Sequence, residues 1–428
     1  MQAAVPMWSF PQRVLFRFAF CLLVLTSLFE NHGVLFGALP VVGRSLGEWL
    51  RTPIDDLTIW LGVHLFHLTG RAATLHDATG DRALAWVAML LILLTSAIAA
   101  AAWSVLDRKR VQYVGLLLWF RLGLSVTLGL ALLPYAFIKV FPLQFPSPPL
   151  ALLNEPVGNA SPTLLFWSLY GLNPAFEMLL GWVEVLTAVL LLFRRTAFPG
   201  ALLALGVTAN IALLDTTFDV PVKLWSFTLV VMSLALLTPE AKWVGSFFFS
   251  RDAVPQRPPW APQPRSTRAR RVALLAEVIL VLMACISYAW GTWTVYRMKL
   301  EALRDPSTFT GEWRIQGQSG IKGGDGQAIT TVFFDPNSDM MLQDAQGTMW
   351  RSRSVYDGKT HVLRVLYEAG GFMIFVVDQR DANDLLLIPK GPTAAQMGTV
   401  TLKRVFLPRT YPLLQRHFHW INEFEPLH

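Results

Sequence analysis

Seven long apolar runs constrain this chain more than any other feature. They cover approximately Arg13–Phe36, Leu84–Leu106, Val111–Pro134, Ala175–Phe193, Phe198–Leu214, Val222–Leu237 and Val272–Trp290. Each is near or above the roughly 17–25 residues that cross a bilayer as a helix. A backbone in hydrocarbon must satisfy its own N–H and C=O groups, so these runs predict transmembrane helices. Composition agrees, with 53% hydrophobic and 15% charged residues. The net charge of +7 is no nucleic-acid footprint, because the arginines cluster at the ends of apolar runs, where they set topology. The two cysteines, Cys21 and Cys285, lie within apolar runs. That excludes a disulfide framework or a Cys-x-x-Cys redox centre within the chain.

The basic clusters set the expected orientation. Arg13 and Arg17 open the first run, Arg108–Arg110 join the second to the third, and Arg194–Arg195 join the fourth to the fifth. The Pro-rich connector Ser250–Arg271 carries six arginines against one aspartate. Alternate threading puts all four clusters on one side, which is then cytoplasmic, with the N-terminus inside and the C-terminus outside. No small-x-small cleavage site follows the first run, so it reads as a retained anchor. The expected fold class is a polytopic α-helical membrane protein with a soluble antiparallel β domain at its C-terminal end.

Five regions are expected. Residues 1–110 hold two transmembrane helices and an outer amphipathic segment, and 111–249 form a four-helix membrane core. A cytoplasmic linker at 250–271 precedes a last helix and stalk at 272–305, and 306–428 form the β domain. In Thr52–Gly70, Thr52 is placed to cap a helix and Pro53 to open it. His64 and His67 are spaced to share one face of that helix, a weak pattern for a metal or haem, and no ligand-spaced partner completes it. The proline- and aromatic-rich stretch Tyr135–Pro162 is too apolar for a solvated loop, and is expected to re-enter the membrane or cap the bundle. It also holds a glycosylation-type sequon, Asn159-Ala160-Ser161.

From Pro306 the pattern changes to short alternating segments. Eight strands are predicted at Glu312–Gly317, Ile329–Asp335, Met340–Asp344, Met349–Asp357, His361–Glu368, Gly371–Gln379, Asp384–Pro389 and Gly398–Val405. Strands this short, separated by hairpin turns, indicate an up-and-down barrel or small sandwich. Eight can close around one small ligand. The tail gathers His417, His419 and Trp420, which reads as a docking tail.

Charges inside the apolar runs are the candidate site. At 1.5 Å per residue, Arg121 lies about 15 Å from Arg110 and Glu184 about 15 Å from Arg194. This places both near mid-membrane and predicts a pair between them, because an uncompensated charge there costs at least about 2.5 kcal/mol. Glu177 lies two turns from Glu184 on the same face. With Lys139, just past an expected kink at Pro134, and with Asn173, Asn210, Asp215, Asp219 and Lys223, it outlines a polar funnel in the outer half. Arg121 and Glu184 form its floor, and Glu177, Lys139 and Asn210 are its more exposed ligand contacts. Glu277 is a lone acid with an inner-face arginine as its expected partner.

Residues 111–237 resemble the DoxX-type four-helix membrane family. The matching pieces are "LWFRLGLSVTLGLALLPYAFIKV" and "GWVEVLTAVLLLFRRTAFPGALLALGVTANI". The long Pro-rich stretch replaces the compact hairpin expected in that family. The resemblance implies association with membrane redox assemblies, and with quinone as a possible cofactor. Gly311-Glu312-Trp313 with Arg404 resembles the lipocalin-type signature, which implies a structural Trp313 packed under Arg404.

The function expected on these grounds is an accessory or quinone-associated subunit of a membrane oxidoreductase in the bacterial inner membrane. Its partners would be the lipid bilayer and a redox subunit, with no nucleic acid. In that role Glu184 and Glu177 handle protons while Arg121 and Lys139 hold anionic groups. The alternatives are a lipid or small-amphiphile binding or transfer protein and a non-catalytic membrane scaffold. A hydrolase is disfavoured, since the β domain shows no Ser-His-Asp or paired-acid spacing.

Overall fold

The computed structural model describes residues 8–29, 43–73, 81–154, 157–249, 259–304, 309–317, 320–322, 326–335, 339–366, 372–391, 398–406 and 411. The chain divides into two compact units, one of residues 1–144 and 175–293, the other of 145–174 and 294–428.

Among the described residues, seven helices are long and apolar enough to cross a membrane. They mark a multi-pass protein of the lipid bilayer. Five are α1 (Phe10–Phe29), α3 (Ala83–Leu106), α4 (Val114–Val140), α7 (Pro174–Leu192) and α8 (Ala197–Thr217). The sixth span runs through α9 (Lys223–Leu237), a 3-10 turn at Thr238–Glu240 and α10 (Ala241–Phe249). The seventh is α11 (Thr267–Arg304), longer at both ends than its apolar run.

Helix α4 is central. Its residues Leu128, Leu130–Leu133 and Ala136 are buried against Ala188, Leu191 and Leu192 of α7, with Leu229, Met232 and Leu236 of α9 in the same core. The apolar run ends at Pro134, where a kink is expected, and the helix continues six residues past it to Val140. Proline removes one backbone bond, but a packed bundle tolerates that loss. Here the last turns are held by the burial of Ala136, Phe137 and Val140.

Glycines set how closely α4 and α7 approach. A Cβ at Gly181 would lie 2.6 Å from the Val140 nitrogen and 2.8 Å from the Ala136 carbonyl oxygen. At Gly129 it would meet the Ala188 carbonyl oxygen at 3.1 Å. Ser125 adds a 2.6 Å hydrogen bond to the Leu191 carbonyl. Small residues and a polar contact are how membrane helices pack without a hydrophobic drive between them.

Helix α2 (Gly43–His64) begins nine residues before the expected Thr52 cap. Thr52 sits inside it and bonds back to the Glu48 carbonyl at 2.8 Å, a use of threonine that competes with capping. His64 stacks on Trp60 at 4.9 Å. His67 lies past the helix end with φ 53°, so the two histidines do not share a helix face.

In the second unit, all eight predicted strands are present: β1 (Gly311–Gln316), β2 (Ile329–Phe334), β3 (Asp339–Asp344), β4 (Met349–Asp357), β5 (Val362–Leu366), β6 (Phe372–Gln379), β7 (Asp384–Lys390) and β8 (Val400–Phe406). Each pairs antiparallel with the next, and β8 returns to β1, closing a barrel. Period-2 alternation turns Trp313, Val332, Phe334, Leu342, Leu363, Phe375, Leu387 and Leu402 into one buried core. Trp313 and Arg404 are cross-strand partners. The guanidinium lies 4.5 Å from the indole centroid, and the indole N–H donates to the Phe309 carbonyl at 2.7 Å.

The Pro-rich stretch takes a different course from the one expected. Its helix α5 (Leu150–Asn154) packs on the outside of the barrel, with Leu150 and Ala151 against Phe333 and Met341. The Leu150 N–H donates to Asp335 at 2.8 Å. Asn159 ends a 3-10 turn, and α6 (Pro162–Gly171) follows, capped by Ser161. His417, His419 and Trp420 fall outside the described residues.

Candidate functional site

Charges in the membrane-spanning helices pair differently from the expected arrangement. Arg121 donates to Glu240 at 2.7 Å, and Lys139 donates to both oxygens of Glu184 at 2.7 and 2.9 Å. The expected Arg121–Glu184 pair is therefore corrected. The cause is helix register. Contacts of Ser125 with Leu191, of Gly129 with Ala188 and of Gly181 with Ala136 and Val140 set Glu184 level with residues 132–135, one to two turns before Lys139. That level lies about 20 Å from Arg121 at 1.5 Å per residue. Helix α4 also starts only at Val114, which leaves Arg121 about 10 Å from the helix start rather than 15 Å.

Lys139 and Glu184 are both buried, 6% and 4% exposed. Gly181, one turn from Glu184, lets the lysine-bearing turn come close enough to bridge. Asp215 of α8 is also buried, faces Ser226 of α9 and lies within electrostatic reach of Lys139. Among the described residues its Oδ2 has no hydrogen-bond partner. Asp81 and Lys223 act on Asp215 alongside Lys139, so with Glu184 the neighbourhood holds three carboxyls and two ammoniums. Stripping charges of water costs several kcal/mol each unless they are paired and hydrogen-bonded.

At the same end of α9, the Asp81 carboxylate accepts from the backbone N–H groups of Lys223 and Leu224, both at 2.9 Å. It caps the helix and favours its positive end. Lys223 donates to Asp219 at 2.7 Å and lies 3.6 Å from Asp81. Asp219 itself adopts φ 53° in the turn between α8 and α9.

The second buried pair carries an aromatic lid. Glu240, fully buried, sits in the turn after α9, and Trp260 covers the Arg121 guanidinium at 3.9 Å from its ring. Such a stack is worth about 2 kcal/mol when desolvated. The linker is therefore not wholly extended as expected, since Trp260 and Ala261 are buried in the helical core. Arg194 pairs with Glu277 and donates to the Pro262 carbonyl, which meets the expectation for Glu277.

The remaining predicted residues separate. Glu177 is fully buried, not exposed, and accepts from the Gln144 backbone N–H at 2.9 Å, so it ties the chain leaving α4 to α7. Lys139 is likewise buried. Asn173 belongs to the other unit, exposed just past α6. Asn210 lies on the exposed face of α8 and does not join the cluster. Sequence reasoning missed Asp81, Glu240 and Trp260 as partners. A lone tryptophan among prolines and arginines was the available signal for Trp260. Glu240 lies 119 residues from Arg121, and no local pattern links them.

Among the described residues, no group of three His, Cys, Asp or Glu side chains is placed to hold a metal. No protein-family model matches the chain. No solved structure matches it. Over 82 residues it is 39% identical to the uncharacterised protein YwoB of Bacillus subtilis (strain 168), covering 19% of this chain and 53% of that protein. The chain thus spans about half the length of the curated relative it matches.

Proposed function

We propose that the protein is an accessory, quinone-associated subunit of a bacterial inner-membrane oxidoreductase, and that Lys139, Glu184 and Asp215 exchange a proton there. The carrying observation is the surplus carboxyl: Glu184 and Asp215 are buried, Asp81 lies within reach of Asp215, and two lysines, Lys139 and Lys223, face these three acids. A net negative charge buried in this way is balanced by a proton, and coupled groups share it as a set. The DoxX-like segment at 111–237 supplies the redox association. Reducing quinone to quinol takes two electrons, supplied by a partner subunit, and two protons; the cluster hands these on one at a time and is reprotonated from water between transfers, and quinol oxidation runs the same steps in reverse.

Arg121 and Lys139 are engaged by Glu240 and Glu184, so this reading gives neither the anion-holding role expected from sequence. The large side chains filling the barrel core favour it over a barrel that carries lipid. The lipocalin-type resemblance then concerns Trp313 and Arg404 as structure.

Orientation is proposed with the N-terminus inside and the β unit in the periplasm. Arg13 donates to the Arg110 carbonyl and Arg17 to the Asp107 carbonyl. These contacts gather the first two basic clusters at one end, which the positive-inside rule assigns to the cytoplasm.

The test is purification from native membranes with quantification of bound quinone and co-purifying redox subunits, for wild type and Asp215→Asn. The reading predicts quinone or a redox partner with the wild type, and proton uptake on quinone reduction that Asp215→Asn diminishes. Absence of both quinone and a redox partner from the wild type sinks it.

A further inference from the structure

Helix α8 turns one face away from its own bundle. Leu202, Gly206, Ala209, Asn210 and Leu213 are exposed along it. A Cβ at Gly206 would meet nothing within 4 Å. Asn210 is the anomaly on this face. It lies inside a membrane span, about 10 Å from the helix end at 1.5 Å per residue. Its short side chain cannot snorkel that far to water, as a lysine could. It makes no hydrogen bond to any described residue, unlike Thr208 and Thr216 on the same helix, which bond back to carbonyls one turn earlier. Acyl chains offer an amide neither donor nor acceptor, so the group calls for a protein partner.

We propose that this face is the contact between two copies of the chain, with Asn210 hydrogen-bonded to Asn210 of the second copy. Two features select a second copy over an unrelated subunit. An amide carries donor and acceptor together, so it complements itself across a two-fold axis. Two identical chains with the same orientation also bring Asn210 to the same depth without further design. Gly206, one turn away, bares the backbone so that the helices approach closely, as small-residue interfaces in membranes do.

The test uses the full chain in liposomes, with subunit number read by single-molecule photobleaching over a range of protein-to-lipid ratios. Wild type is expected to dimerise. Asn210→Leu and, independently, Gly206→Leu are expected to raise the dimer dissociation constant about tenfold or more, while thermal unfolding stays close to wild type. Asn210→Gln is expected to retain part of the association.

In a Cys21→Ser, Cys285→Ser background, Asn210→Cys is expected to form a disulfide dimer on mild oxidation, whereas Leu282→Cys on the exposed face of α11 does not. A wild type that stays monomeric at every dilution overturns the proposal. So does unchanged association in both leucine variants, or crosslinking of Asn210→Cys only to a different polypeptide.

Discussion

Substituting Gly181 by alanine tests how the Lys139–Glu184 pair is built. The added methyl would lie 2.6 Å from the Val140 nitrogen, 2.8 Å from the Ala136 oxygen and 2.9 Å from the Lys139 Cβ. Two of these atoms belong to the backbone, so α4 and α7 must separate by most of an ångström to restore contact near 3.5–4 Å. Overpacking of this kind costs about 1–3 kcal/mol, partly offset by up to about 1 kcal/mol of helix propensity gained over glycine. Gly123, on the partner helix α4, is the control: its Cβ would meet nothing within 4 Å, so Gly123→Ala is expected to be neutral or stabilising. Thermal unfolding in mild detergent reads both, and Gly181→Ala should melt below wild type and Gly123→Ala at or above it. Equal melting of the two variants would refute the close-approach argument.

Three further outcomes follow from separate parts of the molecule. Trp260→Ala should destabilise the helical unit by about 3–5 kcal/mol, as loss of a buried tryptophan does, and limited proteolysis should then cut the 250–266 linker faster. Asp81→Ala should lower stability by about 1–2 kcal/mol by uncapping α9, visible as faster amide exchange at Lys223 and Leu224. In the β unit, the Thr360 hydroxyl and the Lys359 N–H hold Asp357 below the usual carboxylate range, and the N–H groups of Asn383 and Asp384 hold Asp381 there. A lowered folded pKa gives stability that is present above the unfolded value and lost as pH falls through the folded one. The β unit should therefore lose stability on acidification below about pH 4, and Asp357→Asn with Asp381→Asn should flatten that loss.

Sequence and structure agree where the signal is local. Apolar length gives all seven spans, and alternation with turn residues gives all eight strands, because both depend on neighbours a few positions away. Trp313 and Arg404 also meet as their resemblance implies. Failures cluster where partners are remote or register decides. Depth alone pairs Arg121 with Glu184, but glycine contacts between α4 and α7 set the register so that Lys139 reaches Glu184. The apolar run stops at Pro134, yet burial of Ala136, Phe137 and Val140 carries α4 on to Val140. Thr52 carried a capping signal and instead bonds back to its own helix. Polarity alone groups Glu177 with Asn210, and burial separates them: one is a backbone tie, the other faces outward.

The pairing of Lys139 with Glu184 is the central claim, and a double-mutant cycle tests it most directly. Lys139→Met and Glu184→Leu alone each leave a buried partner uncompensated and should cost about 3–5 kcal/mol, while the double variant should recover much of that loss. The same cycle with Arg121→Met in place of Lys139→Met should show no coupling to Glu184→Leu. Additive losses for Lys139 and Glu184, or strong coupling between Arg121 and Glu184, would contradict the account.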